Sequence, residues 1–563
     1  MNLRLAFFML YYSASHPVYG QATSSLRGMT TPPTTPPIVT YETIPGHDCI
    51  RSMKGMLDSM EDLAEAHPDL LTMTKIGESY LKNNDGPAAY GTYDVPTGGH
   101  DIFALNVTAT SGAISSTSTK GRFLVTSGVH PREFAPPELL ARFVEMLVNG
   151  YGEDAEITMV LERTEIHAIL YVNPDGRWMA EKYPELMWRK NLNFGSGNDD
   201  CISILSIFGS PGVDINRNFD FMWGHLDDGA SSDDPCNGMY HGPSAESEPE
   251  TRAVSEYAKR LFPEGQRKTD PEGEVDVPFG ESITGIYADI HAAGGYVVYP
   301  WGYEDSKTPD DEALQAIGRK LQSFNEYKLW AGSQPDFQYA ASGIAIDYMY
   351  AALGVASLGL EIGDDFSQEC AAFEDEIVPN NMPALLYAAK IAGAPYSEVK
   401  GPDVLDFVIV ENEQEDMVLV SARASDGELV NAITVDGSFD KFPTGDQSVA
   451  ELRFYIDDGE ISWTAVNPGD ETIQETIDTS SLTLGRHTLY VQATDSDGYK
   501  GPISSLFISL PLTQTISNPP TSSPIDQSTF PSDGSGDSNF LDVFLDFLYG
   551  LFFGPDKSKR KLI

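Results

Sequence analysis

Apolar positions change their spacing along the chain, and the changes mark out its parts. Between Tyr41 and Pro395, helical and strand patterns alternate. Met53 to Ala66 carries apolar residues at helical spacing. Pro136 to Asn149 does so again, with Leu139, Leu140, Phe143 and Leu147 on one face. Short apolar runs of strand length stand among them: Phe123 to Gly128, Ile166 to Val172, Tyr287 to Ile290 and Val355 to Ile362. This alternation predicts an α/β domain over residues 41–398, built on a mixed central sheet with helices on both faces.

From Gly401 the pattern is different. Val404 to Val410, Met417 to Ala422, Glu451 to Ile456, His487 to Ala493 and Ser504 to Leu510 predict short strands separated by Asp- and Gly-rich turns. Residues 401–511 are therefore expected to form a small all-β sandwich, immunoglobulin- or fibronectin-like. It carries no candidate catalytic cluster.

The flanks have other textures. Arg4 precedes the apolar run Leu5 to Tyr12, and small residues follow up to Gly20. Residues 1–20 are expected to be a signal peptide, which points to secretion. Residues 21–40 are a Thr/Pro-rich linker, and residues 512–539 have the composition of a disordered one. In the tail, residues 540–563, the apolar stretch Phe540 to Phe553 is interrupted by Asp542 and Asp546 and followed by the basic run Lys557 to Lys561. It is too short to span a bilayer easily. Contact with a membrane surface or partner, and a plain docked terminus, both stay open for it.

Charge narrows the field. The 36 Lys+Arg stand against 84 Asp+Glu, a balance that repels nucleic acid and excludes it as a partner. The four cysteines, Cys49, Cys201, Cys236 and Cys370, are an even, low number that suits a secreted protein.

Candidate chemistry begins at His130-Pro131-Arg132-Glu133. A neutral imidazole and a carboxylate in a tight turn just past a strand can reach one ion, and both are good zinc ligands. His291 ends another apolar run, where open α/β sheets place their ligands. Three protein ligands leave a zinc ion an open position, as a catalytic site requires, and the cysteines lack the spacing of a closed structural site. Glu361 ends the apolar run Val355 to Leu360. A carboxylate withdrawn from water there has its pKa raised toward working pH, as a general base needs.

These residues resemble the carboxypeptidase A/B family of zinc metallocarboxypeptidases. The likeness runs through His130 to Glu133, Trp188-Arg189-Lys190, Gly212 to Asn218, Asp289-Ile290-His291, Tyr299 to Tyr303, Ser342-Gly343 with Ile346-Asp347, and Glu361, in that family's order. It covers roughly Tyr41 to Pro395 and implies a carboxypeptidase-like fold. It also implies one zinc ion held by His130, Glu133 and His291, with Glu361 as general base. Arg189 would stabilise the oxyanion. Asn216 and Arg217 would grip the terminal carboxylate of a peptide, since a guanidinium fork matches a carboxylate. Tyr339 aligns with the tyrosine that caps the bound end residue, in preference to Tyr348 and Tyr350. Arg132 would lie along the substrate path.

Ile346 corresponds to the bottom of the pocket for the end side chain. It cannot pair with a cation, so apolar or aromatic ends are expected. Val298, Ala341 and Ile344 would line the same pocket, while Gln334, Gln338 and Gly359 depart from a wholly apolar lining. The resemblance pairs Cys201 with Cys236, leaving Cys49 and Cys370 open. The stretch between Gly20 and Tyr41 is too short for the blocking pro-domain of digestive members, so activity without proteolytic activation is expected, from a monomer acting on peptide or protein C-termini. Two rival functions remain: hydrolysis of small acyl amides, and peptide binding without turnover.

Overall fold

The computed structural model describes residues 41–511 except 85, 88, 111–119, 196–200, 202–209, 226–229, 264–274, 276, 281–282, 332–339, 415, 428–447, 458 and 467–471. The chain divides into two compact units, Met1–Thr513 and Gln514–Ile563, and the described residues all belong to the first. The expected signal peptide, both linkers and the tail therefore lie wholly outside the described residues.

The strands of the central sheet are β1 (Leu71–Glu78), β2 (Asp101–Val107), β3 (Gly121–Ser127), β4 (Thr164–Ile169), β5 (Ile286–His291), β6 (Tyr296–Tyr299), β7 (Lys328–Ala331) and β8 (Ala356–Glu361). They lie in the order β7-β6-β8-β5-β3-β4-β2-β1. Strand β3 runs parallel to β4 and β5, β5 parallel to β8, and β6 parallel to β7. The pairs β1–β2, β2–β4 and β6–β8 are antiparallel. The sheet is mixed, as its sequence pattern predicts. Every residue of β5 is buried, so both faces of the sheet centre are covered.

Two of the expected helices recur with close bounds, α1 (Met53–Ala66) and α2 (Ala135–Gly150). Ser52 caps α1 by accepting the Gly55 N–H, which satisfies one of the orphan donors of the first turn. Further on come α3 (Ala155–Arg163), α4 (Pro174–Lys182), α5 (Pro249–Leu261), α6 (Asp311–Asn325), α7 (Ala345–Leu353) and α8 (Val378–Lys390). Asn173 caps α4 on the Gly176 N–H, with Pro174 at the first helical position.

Beyond Gly401 seven strands form two sheets. They are β9 (Asp403–Gln414), β10 (Met417–Ser425), β11 (Val449–Ile456), β12 (Gly459–Ala465), β13 (Ile473–Asp478), β14 (Gly485–Asp495) and β15 (Ser504–Leu510). One sheet has the order β9-β10-β13 and the other β12-β11-β14-β15. Val418, Val420, Leu452, Phe454, Leu489 and Val491 close a core of their own between them. The apolar runs anticipate five of these strands. They miss β12 and β13; β13 buries only Ile473 and Ile477.

The seam between the two cores is close and mixed: Tyr490 is buried in the core of the α/β domain, Leu405, Tyr455 and Ile503 pack against it, and polar pairs cross beside them. Lys320 meets Asp403 at 2.9 Å with both side chains buried, and the Tyr387 hydroxyl donates to the other Asp403 oxygen at 2.9 Å. Lys390 bonds Glu156 and Ser504, each at 2.9 Å. A Cβ on Gly501 would lie 1.7 Å from the Pro402 carbonyl oxygen, so only glycine permits this approach.

Candidate active site

Strands β3, β5 and β8 are adjacent and parallel, so their C-terminal ends meet at one edge of the sheet. That edge of an open α/β sheet is where ligands bind. Glu361 stands in register with His291 across β8 and β5. The turn that follows β3 and Gly128 carries His130 and Glu133. Residues distant in sequence converge there because the strands that end beside one another were brought together by their apolar runs.

His130, Glu133 and His291 are all buried, and a nitrogen or oxygen of each lies within 4.8 Å of the other two. Among the described residues this is the one group of three that could hold a metal ion. The Nδ1 atoms of the two histidines face each other at 3.1 Å, and Glu133 approaches them at 2.9 Å and 3.1 Å. Two imidazole nitrogens and a carboxylate crowded together, with the opposite ring nitrogens engaged elsewhere, fit a zinc ion.

The opposite nitrogens each find a carboxylate. His130 Nε2 lies 3.3 Å from Asp214, and His291 Nε2 lies 2.9 Å from Asp289. Asp289 in turn accepts the Thr126 hydroxyl at 2.7 Å. Burial alone would raise Glu133, but His130 and His291 outweigh it and hold its carboxyl below the ordinary range. Burial would lower His291, yet Asp289 and Glu133 hold it well above its ordinary value.

Asp214 joins the metal cluster to the expected oxyanion and carboxylate groups. It is fully buried and accepts Arg189 Nε at 3.0 Å and Nη2 at 2.8 Å. It also accepts the Asn216 N–H at 3.0 Å, and Arg217 Nη1 is 4.0 Å away. Burial pushes Asp214 up, but Arg189, Arg217 and His130 hold it well below the usual carboxylate range. Arg189 is thereby fixed with Nη1 3.5 Å from His130 Nδ1. Asn216 Nδ2 lies 3.3 Å from His291 Nε2, while its Oδ1 accepts the Ala345 N–H at the start of α7. The Arg217 guanidinium donates to the carbonyls of Ala230 and Asn216, each at 2.6 Å. Gly343, at φ +68°, lets the α7 entry pass Arg217 where a Cβ would stand 2.3 Å from its carbonyl oxygen.

Glu361 is half-buried at the strand end. Withdrawal of its carboxyl from water pushes it up to about 8; His291 and Arg189 pull it down, and Glu133 and Asp289 push it up. Ile346, on α7, is buried. A Cβ built on Gly359 would lie 3.7 Å from Val298 Cβ and 3.9 Å from Ile346 Cγ2. The three residues thus share one apolar corner, and Gly359 widens it. Ala341 and Ile344 pack instead against Gly302. Arg132 stacks over the Phe366 ring, 4.2 Å from its centroid. Tyr339, Gln334 and Gln338 lie outside the described residues.

Disulfides join Cys201 to Cys236 and Cys49 to Cys370. Behind Arg189, the buried Lys190 donates to the Pro235 and Asn237 carbonyls at 2.7 Å and 2.9 Å, on either side of Cys236. Sequence reasoning gives no role to Asp214, Asp289 or Thr126. The spacing of Asp289 and His291 is a usable signal, because alternate strand residues share a face.

The zinc carboxypeptidase family matches residues 56–383, more than half of the chain. Mast cell carboxypeptidase A of Rattus norvegicus is 26% identical over 295 residues, 52% of this chain and 58% of that protein. Carboxypeptidase B2 of Homo sapiens is 27% identical over 353 residues, 61% of this chain and 69% of that protein. The chain thus spans little more than half the length of the first of these relatives. The solved carboxypeptidase A from Helicoverpa armigera superposes with a TM-score of 0.46 at 22% identity, covering 60% of this chain and 73% of its own.

Proposed function

The chain belongs to the zinc carboxypeptidase family, and from that premise we propose that it hydrolyses the last peptide bond of peptides and proteins outside the cell, preferring apolar or aromatic ends. The observation that carries this reading is the convergence of Glu361 and Arg189 on the His130, Glu133 and His291 cluster. A metal site with a base and a fixed cation beside it is equipped for hydrolysis.

Zinc bound by those three residues supplies Lewis acidity toward a water and a scissile carbonyl. Glu361 takes the proton of the attacking water on a carboxylate oxygen and gives it to the departing amine. Arg189, held by Asp214 on two nitrogens, directs donors at the developing oxyanion with little reorganisation. Asn216 and Arg217 bind the free carboxylate of the end residue. A mid-chain bond has no such carboxylate to offer, which makes the activity exopeptidase. By the resemblance Tyr339 is the residue assigned to cap the end residue, and Arg132 binds the chain upstream. Two disulfides support a secreted site of action.

The test is a panel of peptides differing only in the last residue, with C-terminal amides included, assayed with and without a zinc chelator. Chelator-sensitive release of Phe or Leu, and no cleavage of the amides, is expected. Preferential cleavage of small acyl amides would replace this reading with amide hydrolysis, and no turnover would replace it with binding alone. Ile346→Asp should shift kcat/KM toward Lys and Arg ends by about 10-fold or more. An unchanged ratio for Phe- and Arg-ended peptides would remove Ile346 from the pocket.

A further inference from the structure

The loop after β8 passes through Gly363 and reaches Cys370, and it meets the metal-site turn at two points. Phe366 lies under the Arg132 guanidinium, 4.2 Å from ring centroid to Cζ. Its carbonyl accepts the Phe134 N–H at 3.2 Å, one residue beyond the metal ligand Glu133. Arg132 is also tied through its own N–H to the Trp188 carbonyl at 3.1 Å, beside Arg189. The Phe366 loop and the Arg132 backbone are thus both tied to segments next to site residues, Glu133 and Arg189.

An N-terminal hairpin, Thr43–Ile44 paired with His47–Arg51, grips this loop. His47 Nδ1 lies 3.2 Å from the Gln368 carbonyl oxygen, and its Nε2 lies 3.0 Å from the Ser367 hydroxyl. The same imidazole meets Phe134 edge-on, with centroids 5.6 Å apart. Two residues further, Cys49 is bonded to Cys370, and its N–H points at the Cys370 sulfur at 3.1 Å. One short hairpin thus holds the loop just beyond Phe366 and also touches Phe134, whose N–H the Phe366 carbonyl accepts.

A flexible guanidinium loses much rotamer freedom when it binds a peptide. A ring face beneath it, held on a fixed loop, limits that freedom in advance and adds a cation–π attraction. We infer that Phe366, strapped by His47 and the Cys49–Cys370 bond, is a positioning residue for Arg132 that equips this corner of the cleft to hold extended peptide substrates upstream of the residue removed. The inference rests on the role proposed above for Arg132.

The zinc-loaded full chain should be assayed on a blocked dipeptide and a blocked pentapeptide with the same last two residues. Phe366→Leu keeps apolar bulk and removes the ring face. It should raise the pentapeptide KM relative to the dipeptide KM about 5- to 10-fold, within the range of a cation–π contact, with kcat and zinc content little changed. Phe366→Tyr, which keeps the ring, should restore the wild-type ratio. Joint replacement Cys49→Ser and Cys370→Ser should move the ratio in the same direction as Phe366→Leu. An unchanged ratio in Phe366→Leu and in the cysteine pair, or equal losses on both peptides, overturns the inference. A wild-type chain that cleaves neither peptide refutes the carboxypeptidase reading first, and this inference with it.

Discussion

Asp214 and Asp347 are the same residue type, and both are all but fully buried. Asp214 lies on the metal side, where Arg189, Arg217 and His130 hold its carboxyl well below the usual range against the pull of burial. Asp347 follows Ile346, beside the apolar corner that Ile346 forms with Val298 and Gly359. Its partners are backbone, the Gly302 N–H at 2.9 Å and 3.1 Å. Burial pushes it up to about 7; the backbone donors of Gly302 and Tyr303 pull it down, and Glu304 pushes it up. The contrast teaches that nearby cations, and not depth, decide the charge of a buried acid here. The metal side gathers charge and pairs it. At the apolar corner formed by Ile346, Val298 and Gly359 the neighbouring buried acid is met by backbone donors instead.

The comparison breaks most strongly at Glu361. Glu361→Gln removes the proton acceptor while leaving the metal ligands in place. It should cost about 10²–10⁴ in kcat and leave zinc content, measured by atomic absorption, at the wild-type level. Loss of zinc along with turnover would make Glu361 part of the metal site instead of a base beside it.

The Asp347 half of the comparison is sharpened by pH. Asp347 has a raised folded pKa of about 7 against an ordinary 3.8. Between those values the folded chain keeps a proton that the unfolded chain has lost, so stability falls as pH rises. The contribution is fully present below about pH 4 and lost above about pH 7. Asp347→Asn is neutral throughout. The stability of wild type minus that of Asp347→Asn, from urea melts, should therefore fall by at most about 4 kcal/mol across this window. A flat difference would mean that Asp347 finds a cation in solution, and the contrast with Asp214 would fail.

The smallest expected effect concerns Asp289, the carboxylate behind His291. Asp289→Asn should weaken zinc binding about 10- to 100-fold, the usual consequence of losing a partner behind a histidine ligand. Competition with a chromophoric chelator measures this without reference to turnover. Unchanged affinity would show that Thr126 and Asp289 merely fill the sheet edge.

Much of the metal side was legible in sequence, because its residues end apolar strands. His291 and Glu361 close the runs that become β5 and β8, and the turn carrying His130 and Glu133 follows the run that becomes β3. Their convergence needed only that these strands be neighbours. Strands without a long apolar run were harder to see: β7 is only Lys328–Ala331 and β13 alternates exposed and buried positions, burying only Ile473 and Ile477, so neither leaves a continuous pattern. The roles of Asp214 and Asp289 were hidden for another reason. A carboxylate that serves a histidine from behind is recognised by its partners in space, and the motif around it reads the same whatever it touches. Ile346 was legible as apolar, but Gly359's contribution to the same corner depends on the register of β8 against β5 and β6.

The bond between Cys49 and Cys370 has a consequence in time as well as space. Its cysteines are 321 residues apart, whereas Cys201 and Cys236 are 35 apart. During synthesis Cys49 emerges long before its partner exists, and Cys201 and Cys236 pass it first. In an oxidising compartment the short bridge can close early, and its closing takes two wrong partners away from Cys49. The long bridge is then left as the last covalent event of the catalytic region, available only to a chain that has been made at least as far as the loop beyond Glu361. Closure of that bond marks a chain whose base and metal ligands have all been synthesised.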